Sequence, residues 1–173
     1  EAALMIALAT ILGYFRLYRF PQGGSVDFAM VPILIYCLRW GPAWSLSCCF
    51  VNGVLQFFLG GGIALSWQSM LLDYLAAFTP LGLAGLFKGR TWGIFAGTVV
   101  GCAGRFLVHY ISGVTIYKIL VPTAFMNWTF TSPSFYSIVY NGSYMLPNTV
   151  IALAIAALLY KPMKRYILGQ DIQ

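Results

Sequence analysis

The chemistry available to this chain is concentrated in Asp73, Arg105, His109 and Asn141, each set inside an otherwise apolar stretch. A charged side chain in hydrocarbon costs about 2.5–3.5 kcal/mol even on lenient insertion scales. Such groups persist when they pair with one another, line a cavity or grip a ligand. A carboxylate accepts hydrogen bonds, a carboxamide donates and accepts, and an imidazole does either according to its tautomer. Aromatic residues surround them in the sequence. Tyr74 follows Asp73, Tyr110 follows His109, and Tyr117, Phe125, Trp128, Phe130, Phe135, Tyr136 and Tyr140 fill the approach to Asn141. Aromatic faces attract cations by about 0.5–2 kcal/mol each. Together these groups suit a flat, cationic, hydrogen-bonding ligand.

Two plainer readings compete. Asp73 and Arg105 can form an intramembrane ion pair that merely orders a helix bundle, since pairing is the usual state of charge in hydrocarbon. Most of the aromatics can belong to the belts that Trp and Tyr form at membrane interfaces. Arg105 and His109 are four residues apart and share a helix face, which fits a structural network as well as a binding one. The convergence of several polar groups, rather than any single residue, favours a site. Catalysis is not expected: the chain has no HExxH, GxSxG or Walker A motif, no acidic metal cluster and a single histidine. No cofactor and no metal are expected. If the chain serves uphill transport, the energy must come from a partner.

The elements that position these residues follow from composition. Of 173 residues, 60% are hydrophobic and 8% charged, against about 25% charged in a soluble domain. So few charges cannot cover a water-facing surface, and the mean hydropathy is +0.81. We read an all-α integral membrane protein with one domain over residues 1–173. The net charge of +6 is explained by the basic residues that collect in cytoplasmic loops, which leaves nucleic-acid binding without support. Cys37, Cys48, Cys49 and Cys102 all lie in apolar stretches with no CxxC pair, so neither a disulfide framework nor a metal site is expected. The chain starts at Glu1 rather than Met, so its first crossing is expected to be cut short. No charged n-region or cleavage site marks a signal peptide.

Spanning the hydrocarbon takes about 20 apolar residues, and six candidates are present: Ala2 to Phe15, Phe28 to Leu38, Pro42 to Leu59, Trp67 to Phe87, Trp92 to Val114 and Ile138 to Tyr160. The second is short enough to cross only in part. Between them lie Arg16 to Asp27, the turn Trp40-Gly41-Pro42, a triple glycine at Gly60 to Gly62, the basic turn Lys88-Gly89-Arg90, and the long connection Thr115 to Ser137. One side of this arrangement carries Arg39, Lys88, Arg90, Lys161, Lys164 and Arg165; the other carries Arg16, Arg19 and Lys118. The more basic side should be cytoplasmic, which places both termini inside. At 1.5 Å of rise per residue, Asn141, His109, Asp73 and Arg105 then lie roughly 6, 8, 9 and 13 Å below the outer ends of their helices. A site open to the outside is the simplest reading.

Small residues mark possible helix contacts, which they allow by close approach. Ala3 and Ala7 form one stripe on the first helix, and Gly93, Gly97 and Gly101 another on the fifth. Either can serve internal packing or the docking of a partner.

Four separated motifs carry a family resemblance: Pro21 to Val26 (PQGGSV), Leu71 to Tyr74 (LLDY), Arg105 to Gly113 (RFLVHYISG) and Tyr136 to Tyr144 (YSIVYNGSY). In order and topology the chain resembles the thiamine-specific S-components of energy-coupling factor transporters over nearly its whole length. The resemblance implies a six-helix protein of the bacterial plasma membrane that captures thiamine from outside. It would deliver its cargo by associating with a transmembrane coupling protein and two ATPase subunits. The family's pocket residues fall on Asp73, Tyr74, His109, Tyr136 and Asn141. The aromatic that stacks on the ligand falls on Tyr117, with Trp128 as its rival. The alanine-rich docking face falls on Ala3 and Ala7, and the first outer loop, including Phe20 to Ser25, resembles a lid. An S-component for a thiamine precursor or another vitamin, a stand-alone proton-coupled carrier using Asp73 and His109, and a purely structural membrane protein are the alternatives.

Overall fold

The computed structural model describes residues 1–21, 23–60, 64, 66–116 and 122–172. Among the described residues six helices form: α1 (Ala2–Tyr14), α2 (Met30–Trp40), α3 (Pro42–Leu59), α4 (Trp67–Phe87), α5 (Gly93–Thr115) and α6 (Pro133–Ile167). The last four are long and apolar enough to cross a membrane. At 13 and 11 residues, α1 and α2 are about 20 and 17 Å long, short of a hydrocarbon core about 30 Å thick. The two differ in setting. Leu4, Leu8 and Ile11 on α1 are exposed, whereas α2 is buried from Met30 to Arg39 except at Val31. That makes α2 the post around which the longer helices stand. Large exposed apolar residues elsewhere, among them Leu107, Ile111, Leu146 and Val150, give the bundle a surface suited to lipid rather than water.

The structure is mostly helical, as expected, and adds strand only in its connections. Two small antiparallel hairpins are present: β1 (Tyr18–Arg19) with β2 (Ser25–Val26), and β3 (Thr123–Phe125) with β4 (Trp128–Phe130). In the second, Met126 and Asn127 both take positive φ, 51° and 64°, the backbone needed by a two-residue turn that matches strand twist. Strands of two or three residues are too short to show a periodic pattern in sequence.

Helix boundaries follow local chemistry. Gly41, at φ 85°, reverses the chain between α2 and α3, and Pro42 opens α3 where its missing N–H costs nothing. Ser132 caps α6, its hydroxyl accepting from the Phe135 N–H, with Pro133 at the first position. This start precedes the expected Ile138, because Tyr136, Ser137 and Asn141 turn inward and need no water. At 35 residues, α6 is about 52 Å long, with a non-helical break at Met163 just after Pro162. The α4 helix changes winding along its length: an α-turn over Trp67–Met70, a π-helical stretch over Leu71–Ala76 and a 3₁₀ stretch over Thr79–Phe87. The glycine stripe of α5 packs internally. Gly97 faces the Ala84 backbone and Leu38, and Gly101 faces Leu81 and Leu34. The Gly60–Gly62 turn falls largely on residues outside those described, since only Gly60 of it is covered.

Arg39, expected to count toward a basic face, is 2% exposed. Its guanidinium bonds Glu1 at 2.8 Å and Asp171 at 2.5 Å, and also donates to the Tyr166 carbonyl. These contacts draw α1, α2 and the segment after α6 together at one end of the bundle. The cation holds the Glu1 and Asp171 carboxyls below the ordinary carboxylate range. Both groups ionise more readily folded than unfolded. Their contribution is therefore present above the unfolded carboxylate range and is lost as pH falls through the lower folded values. The melting temperature in detergent should fall as pH is taken below about 4. Replacing Arg39 with Met should lower it at neutral pH and flatten that acid limb; an unaltered acid limb would show that the cluster is not the source.

Candidate ligand-binding site

Three helices build the polar centre. His109 on α5 faces Asp73 on α4, with Nδ1 3.4 Å from Oδ1. Arg105, one turn earlier, donates from Nε to His109 Nε2 at 3.4 Å. Arginine has donors and no acceptor, so Nε2 accepts and Nδ1 carries the hydrogen directed at Asp73. His109 thus stands between the two charges that the sequence suggested could pair directly. The Arg105 guanidinium lies 3.9 Å from the centre of the Phe78 ring, an aromatic face that suits a cation.

Asn141 on α6 connects this centre to the third helix. Its Nδ2 donates to the His109 carbonyl at 3.3 Å and to Ser137, carbonyl at 2.9 Å and hydroxyl at 3.1 Å. Its Oδ1 accepts from the Tyr144 hydroxyl at 2.6 Å. Ser137 in turn donates to the Tyr110 carbonyl at 3.0 Å. This close meeting of α5 and α6 needs Gly113, because a side chain there would run into Ser137.

The π-helical stretch carries both Asp73 and Tyr74. One extra residue per turn rotates the side chains that follow, and such bulges occur frequently at functional sites. Here it leaves Tyr74 edge-on to Phe57, centroids 5.1 Å apart, with the Tyr74 carbonyl against Gly53 of α3. Along α6, Tyr136, Tyr140 and Tyr144 repeat every four residues and form one ladder. Tyr136 and Tyr140 stack at 5.6 Å with planes 29° apart, and Tyr140 meets Tyr144 edge-on at 6.0 Å. Phe20 of the first hairpin packs on Tyr140 and Tyr144, and Phe125 of the second packs on Tyr136 and Tyr140.

These groups surround one cavity of about 120 Å³, whose lining includes Asp73, Tyr74, His109, Tyr136 and Asn141. Five of the six described candidates inferred from sequence are thus brought together. Tyr117 lies outside the described residues. Trp128 does not line the cavity and is 63% exposed on the second hairpin; its neighbours Phe125 and Phe130 carry the inward contacts. Sequence reasoning passed over Tyr144, Asn148 and Gln56, all cavity residues. The first two were signalled by spacing, since 141, 144 and 148 fall on one helical face.

Apolar spans around a polar, aromatic-lined cavity define a helical membrane protein with an internal binding site. The chain belongs to the thiamine transporter protein family, whose pattern it matches over residues 1–168. A thiamine transporter of Bacillus subtilis (strain 168) is 30% identical over 184 residues, covering 96% of this chain and 92% of the relative. One from Lacticaseibacillus paracasei is 26% identical over 187 residues, covering 99% and 90%. The solved structure of ThiT from Listeria monocytogenes superimposes with a TM-score of 0.83 at 21% identity, covering 96% of this chain and 94% of that one, which supports the fold.

Asn141 offers a direct test of the helix-joining network. Asn141→Leu keeps the branched shape but removes the Oδ1 that accepts from the buried Tyr144 hydroxyl, and should destabilise the detergent-solubilised protein by about 1–2 kcal/mol. Adding Tyr144→Phe removes that hydroxyl and should recover part of the loss. Strict additivity of the two losses would show that the pair is not coupled.

Proposed function

We infer that the chain is the thiamine-binding S-component of an energy-coupling factor importer in a bacterial plasma membrane, with six membrane-embedded helices, the first two short, and both termini cytoplasmic. The observation that carries this reading is the convergence of Asp73, His109, Asn141 and the tyrosine ladder on one cavity, in a member of a thiamine transporter family. Thiamine has a permanently cationic thiazolium and an aminopyrimidine. The tyrosine faces suit the cation. The carboxylate and carboxamide supply the acceptor and donor pattern that an aminopyrimidine needs.

The cavity is smaller than the 300–1,000 Å³ usual for small-molecule sites. Admitting two linked rings therefore requires its walls to move outward, and the hairpin that carries Phe20 is the wall made by a connection rather than a helix. Loops open at lower cost than packed helices.

Ala3 and Ala7 face outward from α1 and line an apolar groove shared with α3, where Trp44, Cys48 and Val51 form the opposite side. Small side chains there leave room for a helix of another protein to approach closely. In this reading the groove receives the transmembrane coupling protein, and two ATPase subunits supply the energy.

None of the five tryptophans lines the cavity, so calorimetry or radiolabelled ligand is the suitable readout. Thiamine should bind saturably at submicromolar concentration, with riboflavin and biotin inert. Asp73→Ala should weaken binding at least about tenfold, or about 1.4 kcal/mol. Unchanged affinity in the folded variant would remove Asp73 from the site, and absence of thiamine binding by the unmodified protein would turn the assignment to another vitamin. Ala7→Trp should abolish uptake by cells carrying the partner subunits while leaving binding intact. Loss of binding as well would assign the groove to internal packing.

A further inference from the structure

Asn148 lies on α6 one turn beyond Tyr144, on the face that carries Asn141 and Tyr144, and is 5% exposed. Its carboxamide engages the backbone of the first outer connection twice. Nδ2 donates to the Ser25 carbonyl at 2.7 Å, and Oδ1 accepts from the Asp27 N–H at 2.9 Å. A side chain here completes the pairing that a neighbouring strand would give β2. The turn that follows is itself locked. Asp27 accepts from the Ser25 hydroxyl at 2.6 Å and from the Ala29 N–H at 2.9 Å.

Two other contacts hold the same wall. Gly24 lies flat on the Tyr144 ring, where an added methyl would stand 2.5 Å from Cδ1. Phe20 meets Tyr140 and Tyr144 at 5.9 Å. Both are van der Waals contacts that tolerate sliding. The Asn148 bonds are directional and half-buried, so breaking them costs a donor and an acceptor their partners together.

We propose that Asn148 is the positioning residue that fastens β2 over the cavity and thereby sets how long a ligand stays bound. The identity of the ligand rests on the thiamine reading; the fastening does not. Gly24, Ser25 and Asp27 line the cavity beside Asp73 and His109, so a ligand cannot leave past this wall while it is held. Tyr144, on which Gly24 rests, also donates to Asn141. Closure of the wall and order among the polar groups of the pocket are therefore linked along one face of α6.

The test uses the full chain in lipid nanodiscs with Asn148→Leu, which keeps the branched shape and removes both hydrogen bonds. Hydrogen exchange at the Asp27 amide is read in the ligand-free protein. Release of radiolabelled thiamine is read after dilution into unlabelled thiamine. Asp27 exchange and thiamine release should each accelerate about tenfold, with association altered by less than about twofold and the protection of α6 amides retained. A residue that only fills space would leave both rates as they are, and that result overturns the proposal. Faster exchange with unchanged release overturns it equally, because the fastening would then not govern residence. Asn148→Asp keeps the acceptor for Asp27 and loses the donor to Ser25; it should also speed release, and it carries the test if the leucine variant does not fold. If the unmodified protein binds no thiamine, the ligand assignment falls, while unchanged Asp27 exchange would still overturn the fastening.

Discussion

A polar group among lipid-facing helices has no water to bond with, so it must find its partners within the protein. The run from Asp73 through His109 to Arg105 and Phe78 meets that constraint for two charges on two helices. Asn141 extends it to a third by bonding the His109 carbonyl, Ser137 and Tyr144. The same contacts that satisfy the groups also fix the separation of α4, α5 and α6. These three helices supply the polar points of the cavity, and α1, α3 and the first hairpin complete its lining.

The two ends of the bundle solve the problem differently. At one, Arg39 gathers Glu1, Asp171 and the Tyr166 carbonyl, neutralising a buried cation with carboxylates from distant parts of the chain. At the other, Arg16 and Arg19 line the cavity beside Asp27, and two short hairpins cover the ends of the helices. Hairpins suit this place because they bring aromatic side chains inward while their own backbone bonds are paired. Phe20 and Phe125 reach the tyrosine ladder from opposite connections.

Much of the site was legible in sequence. Intramembrane charge is costly enough that Asp73, Arg105 and His109 signalled a purpose, and the spacing of 105 and 109 placed them on one face. The α3 boundaries, Pro42 and Leu59, are as expected, because Gly41 and Pro42 act locally. Less legible was the partnership: composition and spacing suggested Asp73 with Arg105, but His109 stands between them. Arg39 looked like a solvent-facing cation because its carboxylate partners lie 38 residues before it and 132 after it. The hairpins and the π-helical turn are set by one or two residues each, below the reach of any periodic pattern.

The sequence by itself determined the medium, the helices and the residue types of the site, because hydrophobic runs and buried charge act through transfer energies that depend on local composition. Tertiary structure alone decided which side chains meet. It set Asn148 against the backbone of Ser25 and Asp27, turned Trp128 outward, and placed Tyr144 between Gly24 and Asn141. These outcomes depend on how helices separated by many residues rotate and close upon one another. That rotation is fixed by the whole set of polar partners being satisfied at once, and no local stretch of sequence contains it.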